Sequence, residues 1–166
     1  MTEAPAVTIT RERPDEPDAA ALVEELEAHL AGRYPDESRH GFSIQRLIDT
    51  DVHFFVLRVD GEAVGCGGIL FVADEDDEPY GELKRMYVRP AAWGRGYGRR
   101  ILNHLADHAR EAGITLLRLE TGIDQAQAIG LYESMGFRRC APFGPYRDDP
   151  LSPCYELRLP GSMTGT

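Results

Sequence analysis

The sequence is poor in cysteine: Cys66, Cys140 and Cys154 are an odd number, widely spaced, with no CxxC pair. That fits thiols kept reduced better than a disulfide framework or a zinc site. Long apolar runs are missing as well. No stretch reaches the roughly 18 apolar residues of a membrane span. The start, MTEAPAVTITRERPDEPDAA, has neither the basic opening nor the apolar centre of a signal peptide. Basic residues are outnumbered, 18 against 28 acidic, for a formal net charge of −10. Bulk nucleic acid and anionic membranes both demand basic surface, so neither is an expected partner. The expected setting is cytoplasmic, and a cationic partner such as an amine suits the balance.

What is present is enough to bury a core: 166 residues, 42% hydrophobic. That length reads as a single domain over 1–166, with frayed tails to about residue 5 and from about residue 161. Val7 to Thr10 reads as a short strand, and Ala19 to Ala31 as a helix carrying Leu22, Val23, Leu26 and Leu30 on one face, closed by Gly32. Ser43 is placed to cap a short helix through Leu47 and Ile48. The runs VHFFVLRV and AVGCGGILFV flank Asp60-Gly61, a hairpin signal, and Tyr80 to Val88 continues the meander. A helical pattern from Gly98 to Gly113, a strand at Ile114 to Glu120, a helix from Gln125 to Met135 and two short strands, Phe137 to Cys140 and Cys154 to Leu159, complete the chain. The sum is an α/β fold with a mixed sheet. No internal repeat is visible.

One segment runs against the acidic composition. KRMYVRPAAWGRGYGRR, residues 84 to 100, holds six basic residues and no acidic one. At its centre Trp93-Gly94-Arg95-Gly96-Tyr97-Gly98-Arg99 stands between a strand and a helix. Glycines let backbone approach a ligand, and the free N–H groups of a helix start favour an anion such as phosphate. No Gly-Lys-Ser/Thr follows, and the spacing is not the GxGxxG of a dinucleotide fold.

Three stretches, ELKRMYV, WGRGYGRRIL and AIGLYESMGF at 128 to 137, together resemble the GCN5-related N-acetyltransferase (GNAT) family in their order and spacing. They resemble its fourth strand, its pyrophosphate loop with the following helix, and its late helix. The match runs from about Tyr80 to Phe137, and the flanking hairpins extend it to most of the chain. Two residues depart from the family pattern. Trp93 stands where Gln or Arg is usual, and Gln125 where many relatives carry Asn.

The resemblance implies a mixed, mostly antiparallel sheet flanked by helices, with splayed central strands. It implies acetyl-CoA as co-substrate without a metal, and a primary amine of a small molecule or peptide as acceptor. Cofactor contacts carry over to Trp93, Gly94, Arg95, Gly96, Tyr97, Gly98, Arg99 and Gln125, and to Met86, Tyr87 and Val88 along the pantetheine. One N–H of that strand, at Met86 or Val88, would polarise the thioester carbonyl. Tyr132 is the expected general acid toward the CoA thiolate. Glu82 is the candidate base, because an alkylammonium cannot attack until it loses a proton. Its spacing to Met86 predicts that both side chains share one face. The alternatives are a core role for Tyr132 and an ion pair of Glu82 with Lys84 or Arg118. Non-catalytic acyl-CoA binding and another acyl donor are rivals for the whole chain. Related folds often dimerise, so a homodimer is compatible.

Cys66 reads as packing, since no histidine is placed to activate it. His104 and His108, i and i+4, read as a solvated face. Selectivity is expected from two loops, through Arg33, Tyr34, His40 and Phe42 and through Phe143, Tyr146, Arg147, Asp148 and Asp149.

Overall fold

A computed structural model of the chain describes residues 4–31, 43–73, 78–121, 126–146 and 153–160. The strands are β1 (Val7–Arg11), β2 (His53–Val59), β3 (Glu62–Val72), β4 (Tyr80–Val88), β5 (Leu116–Glu120), β6 (Arg138–Cys140) and β7 (Cys154–Arg158). The helices are α1 (Pro17–Ala31), α2 (Ile44–Asp49), α3 (Tyr97–Glu111) and α4 (Ala126–Ser134). One seven-stranded sheet runs in the order β1-β2-β3-β4-β5-β7-β6. Every pairing is antiparallel except β4 with β5, the two strands joined through α3.

Local chemistry sets these elements. At the β2–β3 hairpin Asp60 and Gly61 both have positive φ, 51° and 86°, which matches the twist of the flanking strands. Ser43 caps α2 by accepting from the Arg46 N–H at 3.2 Å. Gly113, with φ 79°, follows the end of α3.

Two helical layers cover the sheet. On one face Ile101, Leu102, Leu105 and Ala109 of α3 pack with Leu57, Ile69, Leu83, Leu117 and Leu119, joined by Tyr132 and Phe137. On the other, Ala19, Leu22 and Val23 of α1 meet Phe54, Val56, Cys66 and Leu47. A smaller cluster of Tyr80, Leu116, Phe143, Tyr146 and Cys154 continues that second face. Each large apolar side chain fully removed from water here contributes about 1.5–3 kcal/mol before chain entropy is counted.

β4 is not a regular strand. Its pairing with β3 slips between Cys66↔Tyr87 and Gly68↔Lys84, and Arg85 takes a positive φ of 54°. One extra residue is thus inserted in β4, a β-bulge. This overturns the expected shared face of Glu82 and Met86. Leu83, Met86 and Val88 point to the α3 side, whereas Lys84, Arg85 and Tyr87 bond to groups on the α1 side. Glu82 lies with the latter set, because the bulge resets the alternation between it and Met86.

Candidate active site

The site forms where β4 and β5 part. Those strands pair only at Gly81↔Leu117 and Glu82↔Arg118, although β4 runs on to Val88. Arg89 N–H bonds Val64 O at 2.9 Å on the β3 side. Ladder alternation therefore turns the backbone groups of Val88 toward the opened edge. There the Val88 carbonyl accepts the Trp93 indole N–H at 2.8 Å. Trp93 thus ties the end of β4 to the turn that follows, and its side chain stays exposed.

That turn is built on left-handed glycines. Gly94 and Gly96 have φ of 82° and 80°, and a Cβ on either would meet nothing within 4 Å. Their need is conformational. Gly98 is different: a Cβ there would lie 2.9 Å from Leu131 Cδ2, so this glycine lets α3 approach α4. Gly96 caps α3 without a side-chain bond, which leaves the first-turn N–H groups without intrahelical acceptors. An open turn, orphan donors and an unpaired strand edge fit a pyrophosphate-bearing thioester with an extended arm.

The basic segment divides in two. Lys84 pairs with Glu82, Arg85 with Glu27 and Arg89 with Glu25, the last with one additional bond to Ala63 O. Two of these cations, Arg85 and Arg89, are held by α1. Arg95, Arg99 and Arg100 remain exposed at the turn, with Arg99 donating to Ser134 Oγ at 2.8 Å.

On the α1 side of the parting strands Glu82, Lys84 and Tyr146 form a buried cluster. The Tyr146 hydroxyl donates to Glu82 Oε2 at 2.5 Å and accepts from Lys84 Nζ at 2.8 Å. Lys84 Nζ also lies 2.7 Å from Glu82 Oε2. Burial, followed by the Glu82 charge, pushes the Tyr146 phenol far up, so it stays protonated. Oε1 of Glu82 makes no hydrogen bond among the described residues. Beside the cluster the Arg118 guanidinium lies 4.6 Å from the Tyr80 ring centre and 5.5 Å from that of Phe143.

On the opposite face Tyr132 of α4 is 6% exposed, edge-on to Phe137 at 5.7 Å. Its hydroxyl has no hydrogen-bond partner among the described residues. Burial, and then the Glu120 charge, raise its pKa strongly, so it holds its proton throughout the physiological range.

Gln125, Arg33, Tyr34, His40, Phe42, Arg147, Asp148 and Asp149 lie outside the described residues. Cys66 is fully buried with its thiol pushed up to about 12, mainly by desolvation. His104 and His108 do not form a solvated face. His108 Nε2 is 2.8 Å from His53 Nδ1, and both α3 histidines pack edge-on to Phe55. The ion pair of Glu82 with Lys84, one of the alternatives the sequence offered, is present, whereas sequence reasoning missed the Tyr146 hydroxyl on the same oxygen. The legible trace of the pair was Lys84, the one lysine of the chain, two residues along the same strand.

The family profile described as "Acetyltransferase (GNAT) family" matches residues 19–137. The chain belongs to the GNAT acetyltransferases and is an acyl-CoA-dependent N-acyltransferase. It is 47% identical over 155 residues to a protein of Azospirillum brasilense named IAA acetyltransferase, covering 93% of this chain and 99% of the relative. A putative acyl-CoA N-acyltransferase from Klebsiella pneumoniae superimposes with TM-score 0.73 at 35% identity, covering 92% of this chain and 97% of that one. N-acetylglutamate synthase from Neisseria gonorrhoeae, complexed with coenzyme A and N-acetyl-glutamate, gives TM-score 0.72 at 28% identity. That alignment covers 95% of this chain and 36% of the synthase.

Proposed function

We propose that the protein moves an acetyl group from acetyl-CoA to a primary amine of a small molecule or peptide, by direct attack within a ternary complex. One observation carries this reading: the buried Glu82, the last β4 residue paired with β5, has Oε1 without a hydrogen bond among the described residues, and in the core of the opposite face the buried Tyr132 hydroxyl is likewise unbonded. Buried polar atoms left unpaired are rare and point to a ligand or a reacting group.

The N–H groups of Gly94 to Arg99 hold the phosphates, helped by Arg95 and Arg99. Trp93 fixes the turn, Tyr97 and Gly98 seat the start of α3, and Gln125, outside the described residues, is the further candidate for a cofactor contact. Met86, Tyr87 and Val88 lie along the pantetheine arm, and the Val88 N–H faces the thioester carbonyl. Acetyl-CoA supplies an activated acyl carbon and a thiolate leaving group. Glu82 takes the acceptor's proton, and Tyr132 gives its own to the departing sulfur. Cys66 is sealed and protonated, which argues against it as an acyl-accepting nucleophile.

A thiol-release screen of amines, amino acids, aminoglycosides and peptide N-termini tests the reading, with acetyl-CoA as donor and succinyl-CoA as comparator. The expected result is amine-dependent release with intersecting initial-rate lines. Parallel lines, or acetyl trapped on the enzyme, would overturn direct attack.

A further inference from the structure

The cluster around Glu82 is asymmetric, and the asymmetry has a chemical use. Both donors fall on one oxygen. Tyr146 O–H and Lys84 Nζ converge on Oε2, while Oε1 has no partner among the described residues. All three side chains are buried. Tyr146 arrives from the turn Gly144–Tyr146 ahead of β7, and Lys84 from β4 itself.

The identity of the cation matters to this geometry. Every basic side chain among the 18 lysine-plus-arginine residues is an arginine except Lys84. An ammonium is a compact point charge that can sit on one carboxylate oxygen. A planar guanidinium prefers to engage both oxygens side by side, which here would close Oε1.

We propose that Tyr146 and Lys84 are positioning residues that clamp Glu82 by Oε2 so that Oε1 is presented to the proton of the acceptor amine. The inference rests on the reading of Glu82 as the base. In the step it serves, an N–H bond of the acceptor ammonium breaks and an O–H bond forms at Oε1, leaving a neutral amine. Several charged or titratable groups face the clamp. Arg118 of β5 is the cross-strand partner of Glu82 and pairs with Glu156 of β7 at 3.4 Å. Glu120 of β5 and Cys154 of β7 act on the Tyr146 phenol, and Tyr80 stacks under Arg118.

The experiment compares the pH profile of kcat/KM for the parent enzyme, Glu82→Gln, Tyr146→Phe and Lys84→Arg. Thermal melting and CoA binding are followed alongside, to show that each variant is folded and loads its co-substrate. Glu82→Gln is expected to remove the acidic limb of the profile. Tyr146→Phe loses a donor to the charged form of Glu82, so the limb moves to higher pH. Its kcat falls about tenfold, the order expected for a misplaced catalytic group, with the KM for acetyl-CoA unchanged. Lys84→Arg keeps the charge and lowers kcat at least as far. A purely structural role would lower the melting temperature and leave the limb in place. If Glu82→Gln leaves the limb intact, the base reading fails and this inference falls with it. If Glu82→Gln removes the limb while Tyr146→Phe and Lys84→Arg retain its position and kcat, the clamp alone is refuted.

Discussion

Glu82 and Tyr132 stand on opposite faces of the sheet, the first among the α1-side groups at the parallel β4–β5 pairing and the second, on α4, in the core cluster that α3 covers. An acyl donor entering on the α3 side and an acceptor on the α1 side would meet between them without crossing paths. This arrangement suits a ternary complex better than sequential visits to one pocket.

Tyr132→Phe separates chemistry from packing. The hydroxyl has no partner among the described residues, so its removal leaves no bonding group orphaned. The melting temperature is expected to stay close to the parent's, while kcat falls about 100-fold if the phenol is the general acid. Unchanged turnover at every pH, with CoA still bound, would show the ring to be core packing only.

Gly96→Ala tests the turn. The added methyl meets nothing within 4 Å, yet φ is 80°, so the cost is backbone strain of about 1–2 kcal/mol. Strain that opens the turn weakens CoA binding by about tenfold, measured by calorimetry, with little effect on the KM for the acceptor.

Trp93 is the sole tryptophan and lies beside the same turn, 47% exposed. Titration with CoA should give a saturable change in its fluorescence, and Gly96→Ala should move the midpoint to higher CoA concentration. A flat titration under conditions where calorimetry detects binding would place the ligand away from the indole.

Stability should depend on pH through His53 and His108. Their 2.8 Å contact needs one N–H and one lone pair, so it does not survive double protonation. Burial lowers both pKa values below 6.5, reinforced by Arg11 for each and by His53 for His108; Asp51 and Glu111 oppose the shift. A base with a depressed folded-state pKa contributes stability that is complete above the unfolded value and is lost as pH falls toward the folded one. The melting temperature is therefore expected to drop between pH 7 and pH 5. His108→Gln should shrink that drop, and an equal slope in the variant would exclude the pair as its source.

Gly67→Ala probes the packing of α3 on β3. Its Cβ would sit 2.5 Å from Met86 Sδ and 2.8 Å from Ile101 Cγ2. Overpacking on that scale costs about 1–3 kcal/mol, read in urea denaturation. The displaced side chain is Met86, one of the proposed pantetheine contacts, so acetyl-CoA affinity should fall together with stability.

Sequence and structure agree where the signal is local. Ser43 has the right chemistry for a cap, Asp60-Gly61 for a tight hairpin, and Tyr80 to Val88 was bounded by residues that set its ends. The glycine turn was legible because left-handed backbone writes itself as glycine. The bulge was not, since its left-handed residue is Arg85, which carries no such mark. That one residue reversed the predicted relation of Glu82 to Met86. Pairings across long separations were equally silent: nothing in α1 announces that Glu25 and Glu27 hold Arg89 and Arg85. Tyr146 read as a loop aromatic because its partner Glu82 lies 64 positions earlier.

The solitary lysine has a last consequence. Thioesters acylate exposed amines without help from any catalyst, and an enzyme that handles them is bathed in such reagents. Here the one ε-amine is shut inside an ion pair with Glu82, and the other cationic side chains are arginines, which resist acylation at neutral pH. The folded surface therefore offers its own co-substrate no lysine to damage.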